Sequence, residues 1–344
     1  MVRIRSLAGS LIGIVGILLI ILYTNPVVVL SKVKHLNPLL IVLAAGTEVL
    51  GGVLYTLAWY LILKPSGINV SFRRAYLITM GSLFLIYTTP SGVAAEAVRI
   101  NMTRKHAVDY GGPTASVIIH RVLYALGFVS VASFATFVVY SAFSTSPFVK
   151  TAFYAILSTL VLISVALGLS IYAKWLKGSV KRVLLKLSPL IKKLSKRDVD
   201  LSEVDRAFDS FTLAMRRIKH SPIRLLTSYA VIALRWILVS VVALLVMYSL
   251  GYYGLSIWGI MIVMMIAELV STTPIGIPGM LGVLDAVIIA SYVALGVPLG
   301  VATAADLLTR LVLYLVNIPL TGSLFYTYIS KTYTKNSGIK NPAT

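Results

Sequence analysis

Six apolar stretches in this chain are each close to the length of a helix that crosses a lipid bilayer. They cover residues 7–24, 39–63, 114–140, 151–173, 225–251 and 301–329. The bilayer core is about 30 Å thick, so a helix needs about 20 apolar residues to cross it. Hydrophobic residues make up 58% of the chain and charged residues 12%, unlike the composition of soluble domains. The sequence therefore predicts an all-α polytopic membrane protein with about six full spans.

The first stretch follows Arg3 and Arg5, as the apolar core of a secretory signal peptide does. It ends in Tyr-Thr-Asn-Pro without a small-residue cleavage site, so we interpret it as an uncleaved signal anchor. The chain has no cysteine, which excludes disulfides and thiolate metal sites. Its four histidines are scattered. We therefore expect no metal and no cofactor.

The formal net charge of +20 is unevenly distributed along the chain. Fourteen of the 31 Lys and Arg residues lie in residues 174–224, and most of the others lie in short loops. This asymmetry follows the positive-inside rule and does not indicate binding of nucleic acid. We therefore place both termini, the loop 64–74 and residues 174–224 in the cytoplasm of a multi-pass cell-membrane protein.

Two further apolar segments, residues 75–89 and 257–273, are too short to cross and run into Pro and Gly. The first has basic residues on both sides: Arg73 and Arg74 before it, and Arg99, Arg104 and Lys105 after it. The second has uncharged flanks. The pattern predicts two re-entrant broken helices, at 75–100 and 257–296, which enter from the cytoplasm and from outside respectively.

The two broken segments resemble each other in sequence. Residues 88–98 read TTPSGVAAEAV and residues 272–287 read TTPIGIPGMLGVLDAV, so both open on Thr-Thr-Pro and close on an acid followed by Ala-Val. Because their flanks predict opposite directions of entry, we interpret them as an inverted repeat. Inverted repeats with broken helices near the bilayer midplane are common in transporters.

The spacing of charged residues supports the repeat. Glu96 lies 25 residues before Arg121, and Asp285 lies 25 residues before Arg310. We expect these four side chains to share one buried polar cavity, with each acid within reach of a basic group.

Both motifs resemble the lysylphosphatidylglycerol synthase transmembrane-region family over nearly the whole chain. The matching residues are Pro90, Gly92, Glu96 and Arg99 in the first motif, and Pro278, Gly279, Gly282, Val283 and Asp285 in the second. The family usually has Glu at the position of Asp285 and often has Glu at that of His120. The resemblance implies a flippase-like membrane domain. Because no soluble aminoacyl-transferase domain follows before Thr344, it implies lipid translocation and not lysyl transfer.

Charged side chains inside a bilayer are costly, which makes them functional candidates. The glycine turns would expose backbone amides at half-helix N-termini, where a phosphate is favoured, and arginine binds phosphate through its planar fork. The candidate substrate-binding residues are Pro90, Gly92, Glu96, Arg99, His120, Arg121, Pro278, Gly279, Gly282, Asp285, Asp306 and Arg310.

Some membrane charges have structural interpretations as well. Asp306 and Arg310 lie one helical turn apart and could simply neutralise each other. Arg235 could reach an interface with its long stem, and Glu48 has no obvious partner in its own helix.

Residues 174–224 contain two amphipathic runs. We interpret the first, residues 176–194, as a basic helix on anionic lipid, and the second as a helix with an acidic first turn and a basic last turn. A connector that packs the two repeats together and a regulatory or partner-binding role are both open. The predicted divisions of the chain are residues 1–24, 25–173, 174–224, 225–330 and 331–344.

The sequence therefore predicts a translocase, not an enzyme, for a phospholipid or a polyprenyl-phosphate-linked lipid. The expected partners are anionic or phosphate-bearing membrane lipids and, as a further candidate, an enzyme of lipid or glycan assembly. Because no nucleotide-binding loop is present, transport would be uncoupled, ion-coupled or driven by a partner. A membrane enzyme using Glu96 or Asp285 as a base, and a small-solute transporter, remain alternatives.

Overall fold

The computed structural model describes residues 33–88, 93–143, 201–271 and 280–330, with a few isolated positions outside these ranges. These ranges form helices, as predicted. In chain order they are α1 Pro38–Leu63, α2 Phe72–Thr88, α3 Val93–Arg104, α4 Gly111–Phe143, α5 Leu201–Lys219, α6 Pro222–Ser249, α7 Ile257–Ser271, α8 Val283–Ala294 and α9 Leu299–Leu324, which continues into a π-helical turn at Phe325–Ser330.

Four of the described helices are long and apolar enough to cross a membrane: α1, α4, α6 and α9 with its π-helical turn. They correspond to four of the six predicted spans. Residues 7–24 and nearly all of 151–173 lie outside the described residues. Large apolar side chains on these helices, such as Phe137 and Leu315, are exposed, as side chains that face lipid would be.

Helices α2, α3, α7 and α8 are shorter than the four spans. The 15 residues of α7 extend about 22 Å, less than the thickness of a bilayer core. Every residue of α7 from Gly259 to Met265 is buried. Protein therefore surrounds this short helix, which packs against α4, α6 and α8.

Helices α2 and α3 pack against each other and form a hairpin. Arg74, near the start of α2, lies 3.4 Å from His106, just after the end of α3 (Nη1 to Nε2). Partial burial lowers the pKa of His106, as do the charges of Arg74 and Lys105. The contact shows that the chain enters and leaves this helix pair at the same end.

The long helices approach each other closely at small residues. A Cβ atom on Gly127 of α4 would lie 2.6 Å from Cγ2 of Ile232 on α6. On α1, the Ala58 carbonyl accepts a hydrogen bond from the Ser228 hydroxyl of α6 at 2.8 Å. Small residues and interhelical hydrogen bonds of this kind stabilise helix contacts where lipid provides no hydrophobic driving force.

Helix α5 packs against the start of α4. A Cβ atom on Gly111 would clash with the α5 backbone, and the Ser210 hydroxyl donates to the Asp109 carboxylate. Ala214 and Ile218 of α5 belong to the main hydrophobic core. The second amphipathic run is therefore a packed helix, whereas residues 174–200 lie outside the described residues.

Candidate functional site

The first-half cluster consists of Tyr55, Glu96, Arg99, His120 and Arg121. Glu96 lies in the first turn of α3, where the helix dipole favours an acid. Its carboxylate contacts two arginines: Oε2 lies 3.0 Å from Nη1 of Arg99, and Oε1 lies 2.6 Å from Nη2 of Arg121. One carboxylate thus lies between two guanidinium groups.

Arg99 is the anchor of this cluster, and its side chain is fully buried. Its guanidinium carbon lies 4.2 Å from the ring centre of Trp59, and Nη1 donates to the Tyr55 hydroxyl at 3.5 Å. Stacking on Trp and pairing with a carboxylate are suited to a buried guanidinium. Arg99 therefore holds the cluster together.

His120 connects Arg99 to α1. Nδ1 of His120 lies 3.3 Å from Nη2 of Arg99, and Nε2 lies 3.2 Å from the Tyr55 carbonyl oxygen. Because a guanidinium can only donate, Nδ1 is the acceptor and the proton lies on Nε2, which donates to the carbonyl. The neutral ring therefore fixes the orientation of Arg99.

Arg121 differs from Arg99 in its exposure. Its side chain is 44% exposed, whereas that of Glu96 is 15% exposed and that of Arg99 is fully buried. The Arg121 side chain therefore contacts Glu96 and is still partly exposed at the surface of the protein.

The second-half cluster consists of Asp285, Tyr292, Asp306, Arg310 and Tyr314. Oδ1 of Asp285 lies 2.7 Å from Nε of Arg310, with side chains 0% and 9% exposed. Nη1 of Arg310 also donates to the Tyr314 hydroxyl at 3.4 Å. As expected from the shared spacing, both acids of the repeat pair with the arginine 25 positions later.

Asp285 also has a local role at the start of α8. Its Oδ2 accepts the backbone N–H of Gly282 at 2.6 Å, which caps the helix. Gly282 adopts φ of 82°, a left-handed conformation that favours glycine. This helix N-terminus, expected to receive a phosphate, is therefore occupied by a carboxylate of the chain itself.

Asp306 is 1% exposed, and neither of its carboxylate oxygens has a hydrogen-bond partner among the described residues. It lies beside Asp285, and Arg310 is within electrostatic range. The ion pair of Arg310 is with Asp285, so neutralisation within α9 alone does not describe this cluster.

A further buried pair joins α1 to α6. Oε1 of Glu48 lies 3.4 Å from Nη2 of Arg235 and accepts a hydrogen bond from Asn317 of α9 at 3.0 Å. The interpretation that Arg235 extends to an interface is wrong, because its guanidinium turns inward to this carboxylate. Glu268 of α7 lies within electrostatic range of Arg235 and of Arg121.

Four of the candidate substrate-binding residues belong to the two breaks. Pro90 and Gly92 of the first break, and Pro278 and Gly279 of the second, lie outside the described residues. The structure also contains polar partners that the sequence patterns missed: Tyr55, Trp59 and Asn317. None of them belongs to the motifs that repeat in the sequence, so no sequence signal identified them.

A cavity of about 360 Å³ lies at the start of α2, away from both clusters. It is lined by Ser71, Arg73, Arg74, Leu77 and Tyr328. The two arginines are exposed and make this cavity basic.

Comparison with known proteins agrees with this architecture. Residues 7–320 match the model of the lysylphosphatidylglycerol synthase TM region. A UPF0104 membrane protein of Archaeoglobus fulgidus is 28% identical over 98% of this chain and 99% of its own length. A UPF0104 membrane protein of Methanocaldococcus jannaschii is 26% identical over 91% of each chain. The chain is therefore an integral multi-pass membrane protein that belongs to the lysylphosphatidylglycerol synthase transmembrane-region family.

Proposed function

We propose that this protein moves a lipid with an anionic, phosphate-bearing head group between the two leaflets of a membrane, without altering the lipid chemically. The lipid would be a phospholipid or a polyprenyl-phosphate-linked lipid, which share the phosphate group. A role in lipid handling agrees with the family to which the chain belongs.

The observation that carries this proposal is the geometry of Arg121. Its side chain lies on a long apolar helix and is 44% exposed, and its Nη2 lies 2.6 Å from the Glu96 carboxylate. A membrane helix tolerates such a charge where it faces a polar partner or water. A phosphate that reached Arg121 would form a charge-assisted contact, and the planar fork allows a bidentate one.

The proposed architecture has six full spans and two re-entrant helix pairs, α2–α3 and α7–α8, related as an inverted repeat. The contact between Arg74 and His106 supports re-entry of the first pair. The shortness and burial of α7 support re-entry of the second pair. Glu96 and Asp285 each lie in the first turn of the helix that follows a break. We propose that the charged pairs that follow the two breaks, Glu96 with Arg121 and Asp285 with Arg310, line one path for the head group near the midplane.

The basic cavity at the start of α2 is a candidate site for the first binding of a lipid head group. Arg73 and Arg74 line it beside Leu77 and Tyr328, a combination of basic and apolar groups that suits a lipid at a membrane interface. We propose that the head group first binds here and then moves along the α2–α3 hairpin to Arg121.

Leaflet exchange in liposomes tests the proposed function. Purified protein would be reconstituted with a labelled glycerophospholipid, a labelled polyprenyl phosphate or a labelled neutral lipid, and a membrane-impermeant quencher would report the outer leaflet. We expect faster exchange of one phosphate-bearing lipid than in protein-free liposomes, with the lipid recovered unchanged by mass spectrometry. Exchange of the neutral lipid alone, or a chemically modified product, would contradict the proposal.

Cysteine labelling tests the proposed orientation, because the natural chain contains no cysteine. Asp209→Cys on α5 and Tyr253→Cys between α6 and α7 introduce thiols at exposed positions. An impermeant maleimide added to intact cells should label Tyr253→Cys, and Asp209→Cys should react only after the cells are opened. Labelling of Asp209→Cys in intact cells would overturn the orientation.

A further inference from the structure

We propose that Asp285 and Asp306 share a bound proton and couple lipid movement to a proton gradient. This inference rests on the proposed function, because it supplies the energy source of that transport. The two carboxyl groups lie side by side in the second-half cluster, and one guanidinium, that of Arg310, forms an ion pair with Asp285.

The unsatisfied atoms of this cluster indicate a ligand. Asp306 is 1% exposed and neither of its oxygens has a hydrogen-bond partner among the described residues. The hydroxyl of Tyr292, which is also 1% exposed and within electrostatic range of Asp306, is likewise without a described partner. A buried carboxylate without a donor is costly. One proton placed between the two carboxyl groups converts their repulsion into a hydrogen bond.

Several charged and titratable groups surround the pair. Asp306 interacts electrostatically with Asp285 and Arg310, and Tyr292 of α8 and Tyr314 of α9 lie within electrostatic range of Asp306. Glu268 of α7, the neighbouring helix, lies within range of Arg235 and Arg121. With one proton the cluster is neutral: one carboxylate, one carboxylic acid and one guanidinium.

Release of the proton leaves two carboxylates against one guanidinium, with a net charge of −1 inside the membrane. Such a charge is tolerated when water reaches it and is strongly disfavoured in a closed cluster. Proton release is therefore linked to opening of the second-half cluster to water on one side of the membrane. No covalent step is involved: the proton binds Asp306 from one side and leaves to the other.

Infrared spectroscopy tests the proton directly. Asp306→Asn is the most suitable variant, because Asn resembles the protonated acid and Asp306 caps no helix, whereas Asp285 caps α8. At neutral pH the wild type should show the C=O stretching band of a protonated carboxyl group, and Asp306→Asn should lose it. The control Asp209→Asn, at an exposed position on α5, should retain it. Absence of the band from the wild type would overturn the proposal.

Lipid exchange under a pH gradient tests the coupling. With one proton per lipid, a gradient of one pH unit changes the steady-state leaflet ratio by up to about tenfold, and Asp306→Asn should abolish this response. An unchanged response in Asp306→Asn, or a response to a sodium gradient in its place, would overturn coupling through this pair. If the wild type exchanges no lipid at any pH, the proposed function fails, whereas the infrared band still decides whether the pair holds a proton.

Discussion

The first-half and second-half clusters contain the same type of ion pair and differ in the third charge and in exposure. Glu96 pairs with Arg121 and Asp285 pairs with Arg310, each with the acid in the first turn of a short helix. The first cluster adds a second guanidinium, that of Arg99. The first therefore has an excess of positive charge, which suits an anion.

The second cluster has the opposite composition. It adds a second carboxyl group, that of Asp306, beside Asp285, and both acids are buried. The side chain of Arg310 is 9% exposed, compared with 44% for that of Arg121. The same type of pair thus occurs in two environments: a more exposed site with excess positive charge and a closed site with excess negative charge.

Loss of the Arg310 guanidinium should have the largest effect, and that effect should be on stability. Arg310→Ala would leave Asp285 and Asp306 buried without their guanidinium, and removal of one partner from a buried pair typically costs about 3 to 5 kcal/mol. We expect a clear fall in the thermal midpoint in detergent or nanodiscs. The double variant Asp285→Asn with Arg310→Ala should recover part of the loss. A midpoint equal to that of the wild type in Arg310→Ala would show that the second cluster is not a closed site.

The next effect is on lipid binding. Arg121→Ala removes a partly exposed side chain, and Glu96 keeps Arg99 as a partner, so we expect little change in stability but loss of a charge-assisted contact to phosphate. Such a contact is worth about 1.5 to 3 kcal/mol, or roughly ten- to a hundred-fold in affinity. Lipid exchange and binding of the labelled phosphate-bearing lipid would measure this loss.

Two arginine variants serve as controls for Arg121→Ala. Arg206→Ala, at an exposed position on α5, should leave exchange and stability close to the wild type. Arg235→Ala should lower stability, because Glu48 loses the guanidinium at 3.4 Å, and should reduce affinity less than Arg121→Ala. Wild-type exchange by Arg121→Ala at unchanged stability would mean that the first cluster has only a structural role.

The two clusters also show which contacts could be predicted from the sequence. The pairs of Glu96 with Arg121 and of Asp285 with Arg310 were predictable, because an equal spacing of 25 residues in two similar segments places equivalent atoms together. Four spans were predictable from their length and composition.

The contacts between distant helices were not predictable. Glu48 of α1 and Arg235 of α6 are 187 positions apart. Asp306 of α9 lies beside Asp285 of α8. A helix that is apolar on all sides has no polar face to show which side turns inward. The sequence therefore identified Glu48 and Arg235 as charged residues of membrane helices but did not pair them, and it did not distinguish the buried Arg99 from the more exposed Arg121.

A conservative substitution separates charge from geometry at the more exposed site. Arg121→Lys keeps the positive charge but replaces the planar fork with a compact ammonium. We expect partial function, with affinity for the labelled lipid between those of the wild type and Arg121→Ala. Affinity equal to the wild type would show that Arg121 acts as a point charge and does not bind phosphate through two hydrogen bonds.

Salt should change lipid binding by less than the substitutions above do, and it should affect the two clusters differently. The Debye length falls from about 30 Å at 0.01 M to about 10 Å at 0.1 M ionic strength, and exposed charges are screened far more than buried ones. Lipid binding at the exposed Arg121 should therefore weaken with salt by about 0.2 to 1 kcal/mol, or up to roughly fivefold, the range of an exposed ion pair. The same salt step should barely change the thermal midpoint difference between the wild type and Arg310→Ala, because the pair of Asp285 with Arg310 is buried.

Binding titrations of the wild type and Arg121→Ala at both salt concentrations would isolate the effect on lipid binding, since the variant should lose most of the salt response. An equal salt response in the two proteins would mean that the head group is held by other charges, such as those of Arg73 and Arg74 at the basic cavity.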